Sequence, residues 1–248
     1  MICVSLADLG FEECREILNK IEMAELRLDL LDFSIDQIQA LFSHNQKFFG
    51  GSRGAVFQKS PPVLLIATHR PTTISDDERK DILITAVEAG ADYVDLESEA
   101  DARFKHAVMK VCHRKNCKVI FSYHNYESTP SKAKLEKMIE ACFAEGADIA
   151  KIACRVNDEA DAARILSLYD REHIKEKQLV AIGMGEKGKI TRLAAPLLGA
   201  PFTYACLSHS KETAPGQWDM KTLKDILDRI GGGLRRPGAF FEKTAPGP

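Results

Sequence analysis

Short apolar runs rich in β-branched residues alternate along this chain with longer stretches in which apolar positions recur every three or four residues. The first pattern suits strands buried on both faces, and the second suits amphipathic helices. Strands are predicted at 2–6, 24–28, 63–68, 93–97, 118–123, 149–153, 179–184 and 202–207. Helices are predicted at 9–20, 34–42, 76–89, 100–114, 131–145, 157–169, 190–198 and, after the last strand, 219–230. Each strand is followed by a helix, which is the order of a repeated β/α architecture with a parallel sheet.

The punctuation agrees. Ala-Gly-Ala-Asp at 89–92 and Glu-Gly-Ala-Asp at 145–148 each put a glycine where a helix ends in a left-handed residue. The segments AVEAGADYVDLE (86–97) and CFAEGADIAKIA (142–153) resemble one another and read as two copies of one helix-to-strand unit. Eight β/α units in 248 residues place the chain in the α/β class as a single-domain (β/α)8 TIM barrel. A doubly wound open sheet usually has fewer strands. The barrel is predicted over 1–230, with a C-terminal tail over 231–248 that has neither helical nor strand period, and the polar, glycine-rich stretch 43–62 is predicted as a loop. Phe240 and Phe241 of the tail are expected to pack on the bottom of the barrel, to which the last helix returns the chain. No second catalytic domain is expected within these 248 residues.

Composition narrows the function. Lys plus Arg is 34 and Asp plus Glu is 36, for a net charge of -2, so nothing favours nucleic acid or a membrane surface as partner and a small-molecule substrate is expected. Seven cysteines, an odd number without a CxxC pair, read as reduced thiols. Cys112, His113 and Cys117 lie close together but lack a second ligand pair, so no metal is expected. The amino terminus has no targeting pattern, and no apolar run reaches the ~18 residues of a membrane span. A cytoplasmic location is expected.

In such a barrel, chemistry sits at the carboxyl ends of the strands. There the polar residues concentrate. Glu25, Arg27 and Asp29 recur at a spacing of two on the second strand, and Thr68, His69 and Arg70 end the third. Asp95 and Glu97 lie on the fourth strand, Ser122 and His124 on the fifth, and Lys151 in the middle of the sixth. Burial of an ammonium is costly unless it is paired, and it favours the neutral, nucleophilic amine. Lys151 therefore has two readings, a structural lysine paired with Asp95 or Glu97, or a nucleophile that forms an imine with a ketone. A histidine on the adjoining strand would supply the base that removes a proton beside such an imine. The segment Gly183-Met184-Gly185-Glu186-Lys187-Gly188 contains G-x-G-x-x-G, but it follows the seventh strand, lacks the later acidic ribose ligand, and has Ile190 where a phosphate loop needs Ser or Thr. It reads instead as a flexible strand-end loop that brings Met184 and Arg192 to a ligand.

These stretches resemble the type I 3-dehydroquinate dehydratases, the imine-forming dehydratases of the shikimate pathway. The resemblance is carried by AELRLDLLD (24–32), IATHRP (66–71), ADYVDLE (91–97), VIFSYHNYESTP (119–130), GADIAKIA (146–153), IGMGEKGKITRLAAPLLGAPFTYA (182–205) and APGQW (214–218). It implies a single barrel, no metal or organic cofactor, a homodimer and the substrate 3-dehydroquinate. It further implies that Lys151 forms a Schiff base with the C3 ketone and that His124 moves protons between C2 and the departing C1 hydroxyl. Arg192 would hold the substrate carboxylate, and Glu25, Arg27, Arg70 and Gln217 the ring hydroxyls. Met184 and Tyr204 would form the wall, with Thr213 and Ser5 as further contacts.

Some positions depart from the family pattern. Ile74 stands where many members carry a glutamate that pairs with the catalytic histidine, so Asp95 or Glu97 is expected to orient His124 instead. Asn125 replaces an aspartate beside the histidine, Tyr204 a phenylalanine, Ile182 a methionine and Thr213 a serine. Some longer relatives begin with a segment under the barrel, whereas this chain begins on the first strand. Two other readings keep the barrel. A class I aldolase would need a phosphate nest after the seventh and eighth strands, and a non-catalytic binding barrel would make Lys151 and His124 structural.

Overall fold

The computed structural model describes residues 1–43, 62–170 and 177–230. In chain order the elements are β1 (Ile2–Leu6), α1 (Phe11–Leu18), β2 (Met23–Arg27), α2 (Ile35–Phe42), β3 (Leu64–Thr68), α3 (Asp76–Ala89), β4 (Tyr93–Glu97) and α4 (Ala102–Lys115). They continue with β5 (Lys118–Asn125), α5 (Lys132–Ala144), β6 (Ile149–Arg155), α6 (Glu159–Leu166), β7 (Gln178–Met184), α7 (Lys189–Leu197), β8 (Thr203–Cys206) and α8 (Met220–Arg229). The strands pair in parallel in the order β7-β6-β5-β4-β3-β2-β1-β8. Because β1 pairs with both β2 and β8, the sheet curls into a nearly closed (β/α)8 barrel, with Val180 and Ile182 of β7 in one buried cluster with Phe202 and Tyr204 at the remaining seam.

The alternation of side chains along each strand builds two cores. Val4, Leu26, Leu65, Val94, Phe121 and Ile152 point outward and join the helices' apolar faces in the larger cluster. Cys3, Met23, Ile66, Ile120, Ile149 and Val180 point inward and fill the lower barrel. A fully buried leucine or phenylalanine in either layer contributes about 1.5–3 kcal/mol. Further up, the inward positions become polar: Ser5, Glu25, Thr68, Asp95, Ser122 and Lys151 are all buried. The same period of two that builds the core therefore aims these side chains into the barrel mouth.

Local chemistry sets the element ends. Ser34 and Ser75 close capping boxes with Gln37 and Glu78, and Asp101, Ser131, Asp158 and Asp219 accept backbone N–H bonds at other helix starts. Gly90 and Gly146 adopt φ of +117° and +101°, as the two Gly-Ala-Asp repeats predict. The repeated aspartate has a purpose that spacing alone does not reveal. Asp92 accepts the Leu65 N–H at 2.8 Å and Asp148 the Val119 N–H at 2.7 Å, each clamping the start of the preceding strand.

The structure differs from the sequence reading in several places. β5 and β6 run two residues further than predicted, to Asn125 and Arg155, so His124 lies within a strand. Helix α6 stops at Leu166 and a 3-10 turn, Ser167–Tyr169, takes over. Between β7 and α7 the chain makes a short 3-10 turn, Glu186–Gly188, in place of the longer loop predicted, and Met184 and Arg192 on either side of it line the cavity as expected. A Cβ on Gly188 would lie 2.6 Å from the Gly183 carbonyl carbon, so the glycines are needed for backbone packing. Most of the predicted 43–62 loop, and Phe240 and Phe241 with the 231–248 tail, lie outside the described residues.

Candidate active site

Ser5 (β1), Glu25 and Arg27 (β2), Arg70 just beyond β3, His124 (β5), Lys151 (β6) and Met184 (β7) line one cavity at the carboxyl ends of the strands. Arg192 of α7, Tyr204 of β8 and Thr213 and Gln217 of the β8–α8 loop complete it. The structure therefore brings together every residue to which the resemblance gives a role, whereas Asp29, Thr68, His69, Asp95, Glu97 and Ser122, also picked out at the strand ends, do not line the cavity. Four lining residues were not among the candidates: Tyr126, Ala153, Ile182 and Ala214. Tyr126 stacks on His124 at 6.2 Å between ring centroids, and its place two residues further along the strand direction was the available signal.

Lys151 lies at the centre. Its Nζ is 2.8 Å from Asp95 Oδ2 and 3.5 Å from Glu25 Oε1, and it sits 4.2 Å from the Tyr204 ring centroid. The paired reading of the buried amine is thus met by Asp95 and Glu25, while Glu97 serves Arg70. Glu25 also accepts from the hydroxyls of Ser5 at 2.9 Å and Thr68 at 3.0 Å, which explains how a carboxylate is tolerated inside the barrel.

Arg70 spans the acids of β4, with Nη2 at 2.9 Å from Asp95 and Nη1 at 2.8 Å from Glu97. Burial works against the charge on Arg70, but Asp95, Glu97 and Glu25 overcome it and raise its pKa. Asp95 is fully buried, yet Arg70, Lys151 and His124 hold its pKa below the usual carboxylate value. Arg27 forms a two-pronged pair with Asp29, at 3.0 and 2.6 Å.

His124 stands at the cavity mouth opposite Ala153 in the β5–β6 ladder. Burial first, then the positive charges of Arg70 and Lys151, press its pKa well below 6.5. The expectation that Asp95 or Glu97 orients it by a hydrogen bond is corrected. The oxygens of Asp95 are engaged by Lys151, Arg70 and Ser122, and those of Glu97 by Arg70 and Arg79. Asp95 acts on the imidazole only through its charge.

Arg192 is the exception in this paired set. It is 1% exposed, and its Nε and Nη1 have no hydrogen-bond partner among the described residues. Burial lowers its pKa to about 10, which leaves it a cation at neutral pH. A buried guanidinium without an acceptor is costly and fits a site waiting for an anion.

The β8–α8 loop closes over this cage. Gly185 N–H donates to Pro215 O at 2.9 Å, and Gln217 Oε1 accepts from the Thr213 N–H at 2.8 Å. At Gly216, φ is +76° and a Cβ would collide with the Gly185 carbonyl, so only glycine lets the loop lie this close.

A (β/α)8 barrel with a buried amine, a neutral imidazole and an unpaired guanidinium at its strand ends defines an enzyme site for a small anionic substrate. The family model for type I 3-dehydroquinase matches residues 2–233. A 3-dehydroquinate dehydratase from Methanococcus maripaludis strain C5 is 32% identical over 233 residues, covering 93% of this chain and all of that one. The solved 3-dehydroquinate dehydratase of Aquifex aeolicus is 25% identical with a TM-score of 0.71, over 93% of this chain and 98% of that one. The type I enzyme of Clostridium difficile, solved with covalently modified comenic acid, is 22% identical with a TM-score of 0.77, over 92% and 91% of the two chains.

The chain belongs to the type I 3-dehydroquinase family. Its activity is that of a hydro-lyase of the shikimate pathway, removing water from 3-dehydroquinate. That assignment sets aside the aldolase and the non-catalytic barrel. The glycine turn after β7, where the aldolase reading would need its phosphate nest, agrees, since the Gly183, Gly185 and Gly188 N–H groups are bonded to Thr191, Pro215 and Gly185.

Proposed function

We propose that this enzyme works through a Schiff base on Lys151, with His124 as its proton carrier. The observation that carries the reading is the buried Lys151 amine in the same closed cage as a neutral imidazole and an unpaired guanidinium. The Lys151 ammonium first gives a proton to the neutral His124, the free amine adds to the C3 carbonyl of 3-dehydroquinate, and the carbinolamine hydroxyl takes that proton back and leaves as water to give a protonated imine. His124 takes a C2 proton, and the C–H electron pair moves into the imine to form an enamine. The enamine returns its electrons and expels the C1 hydroxyl in a syn elimination, which leaves as water with the proton from His124. Hydrolysis of the imine then frees 3-dehydroshikimate and Lys151. No step calls for a metal or organic cofactor.

In this reading Arg192 forks onto the substrate carboxylate, and Glu25, Arg27, Arg70 and Gln217 hold the ring hydroxyls, with Ser5 and Thr213 beside them. Met184 and Tyr204 form the apolar wall. Borohydride reduction in the presence of 3-dehydroquinate, followed by peptide mass analysis, tests the covalent step. A stable adduct on Lys151 is expected, and turnover with no trapped adduct sinks the reading. The catalytic unit is taken as the barrel over 1–230, with 231–248 as a tail. The homodimer that the resemblance implies and the cytoplasmic location expected from the sequence belong to the same proposal, and sedimentation velocity checks the first. No described helix is long and apolar enough to cross a membrane.

Arg192→Met gives a sharper prediction. Removing an unpaired buried charge leaves the melting temperature of the free enzyme equal or higher, while KM rises by roughly 100-fold or more from loss of a desolvated ion pair. A lower melting temperature with unchanged KM would make Arg192 a structural residue.

A further inference from the structure

We infer that Arg79, on helix α3 outside the barrel, is a positioning residue for the reaction, acting through Glu97 on Arg70 and Asp95 and so on the Lys151 amine. The inference rests on the proposed roles of Lys151 and His124 and goes beyond them, because Arg79 does not line the cavity.

Its side chain is 3% exposed, and its guanidinium lies 4.7 Å from the Phe104 ring centroid. Nη2 donates to Glu97 Oε2 at 2.7 Å and to the His69 carbonyl at 2.9 Å, while Nη1 reaches Asp76 at 2.9 Å. The other Glu97 oxygen, Oε1, accepts from Arg70 at 2.8 Å. Arg70 in turn holds Asp95 at 2.9 Å, and Asp95 holds Lys151 at 2.8 Å. Charges therefore alternate from the amine to the outer helix in one unbroken line: Lys151, Asp95, Arg70, Glu97, Arg79.

Two features separate this from an ordinary surface ion pair. Arg79 fixes Arg70 twice, once through Glu97, the partner of its side chain, and once through the carbonyl of the residue before it. Nη2 serves both acceptors while Nη1 holds Asp76, so the rigid guanidinium plane fixes the direction of both bonds, whereas a lysine offers one ammonium on a flexible stem. Arg79 also offsets the charge of Glu97 close to the site. Without it, Glu97 would keep only Arg70, and the field on the cage would become more negative.

That field is read by His124. The charged groups acting on the imidazole are Arg27 from β2, Arg70 from beyond β3, Asp95 from β4 and Lys151 from β6, with Glu25 and Arg192 lining the same cavity. Ile74 brings no carboxylate to the loop before α3, and Arg70 is held by Asp95, Ser122 and Glu97, of which Glu97 is the one that Arg79 supports. A more negative field favours the protonated imidazole.

The test compares Arg79→Gln, Arg79→Lys and, on the same helix, Lys80→Gln, which removes an exposed pair with Asp77. In Arg79→Gln, kcat is expected to fall roughly 10- to 100-fold with little change in KM. The acid limb of its kcat/KM profile should move up by about half a unit or more. Arg79→Lys keeps the charge and loses the fork, so its limb should stay at the wild-type position while kcat still falls. Lys80→Gln should match wild type in both.

Wild-type kcat and limb in Arg79→Gln overturn the inference, as does an equal shift in Lys80→Gln. Should Arg79→Gln fail to fold, Arg79→Lys decides: lowered kcat with an unmoved limb supports the inference, and wild-type kcat overturns it. Borohydride trapping of the wild-type enzyme keeps the two ideas apart. A Lys151 adduct alongside an inert Arg79 defeats only this inference, whereas turnover without an adduct defeats the Schiff-base reading itself.

Discussion

Lys151→Ala yields a folded protein that still binds 3-dehydroquinate but has lost turnover by roughly 10⁴- to 10⁶-fold, the scale of removing a covalent nucleophile. Folding survives because Asp95 keeps Arg70 at 2.9 Å and Ser122 at 2.6 Å, and Glu25 keeps Ser5 and Thr68. Binding survives because the carboxylate anchor proposed at Arg192 lies on a different element. Isothermal titration beside a steady-state assay separates the two readouts. A variant within tenfold of wild-type kcat would exclude Lys151 as the imine-forming residue.

His124→Ala is the second large effect, a loss of roughly 10²- to 10⁴-fold in kcat, the range for a positioned general base. Its signature differs from that of Lys151→Ala. The imine still forms and then stalls, so substrate alone should leave a mass adduct on Lys151. Full activity, or no adduct, would remove His124 from the proton-transfer role.

The pH dependence follows from the same residue. Its imidazole pKa lies well below 6.5 through burial and the nearby Arg70 and Lys151 charges. The free base is therefore present throughout the neutral range, and kcat/KM should stay level as pH falls past 6.5, bending only in more acid solution. An acid limb at or above 6.5 would contradict this. Stability moves in the same direction. As pH falls below 6.5, the unfolded chain takes up a proton at this histidine that the folded chain refuses, so folding weakens.

Much of this site is legible in the residues. Polar side chains at every second position of strands that are otherwise apolar cannot be surface decoration, and Glu25, Arg27, Asp95, Ser122, His124 and Lys151 all stand at such positions. The glycine turn was read only in part, with Met184 and Arg192 placed at the site, because spacing shows where glycine occurs and not why. Only the close approach of the Gly183 and Gly188 backbones explains it. Partner choice was also hidden. Asp95 and Glu97 stood as equal candidates to hold Lys151 or orient His124, whereas in the folded chain Asp95 takes the lysine, Glu97 takes two arginines, and neither hydrogen-bonds the histidine.

The amino-acid sequence alone determines the eight β/α units, the barrel and the face of each strand that carries chemistry, because hydrophobic periodicity and helix-end residues are local. The tertiary structure decides which charges meet. Ion pairing inside the barrel joins residues as far apart as Glu25 and Lys151, and links Arg79 on an outer helix to the acids of β4. It also leaves Arg192 Nε and Nη1 without an acceptor among the described residues. A net charge of -2 carries no trace of that arrangement, since electrostatic energy depends on separation and burial and not on the count of charges.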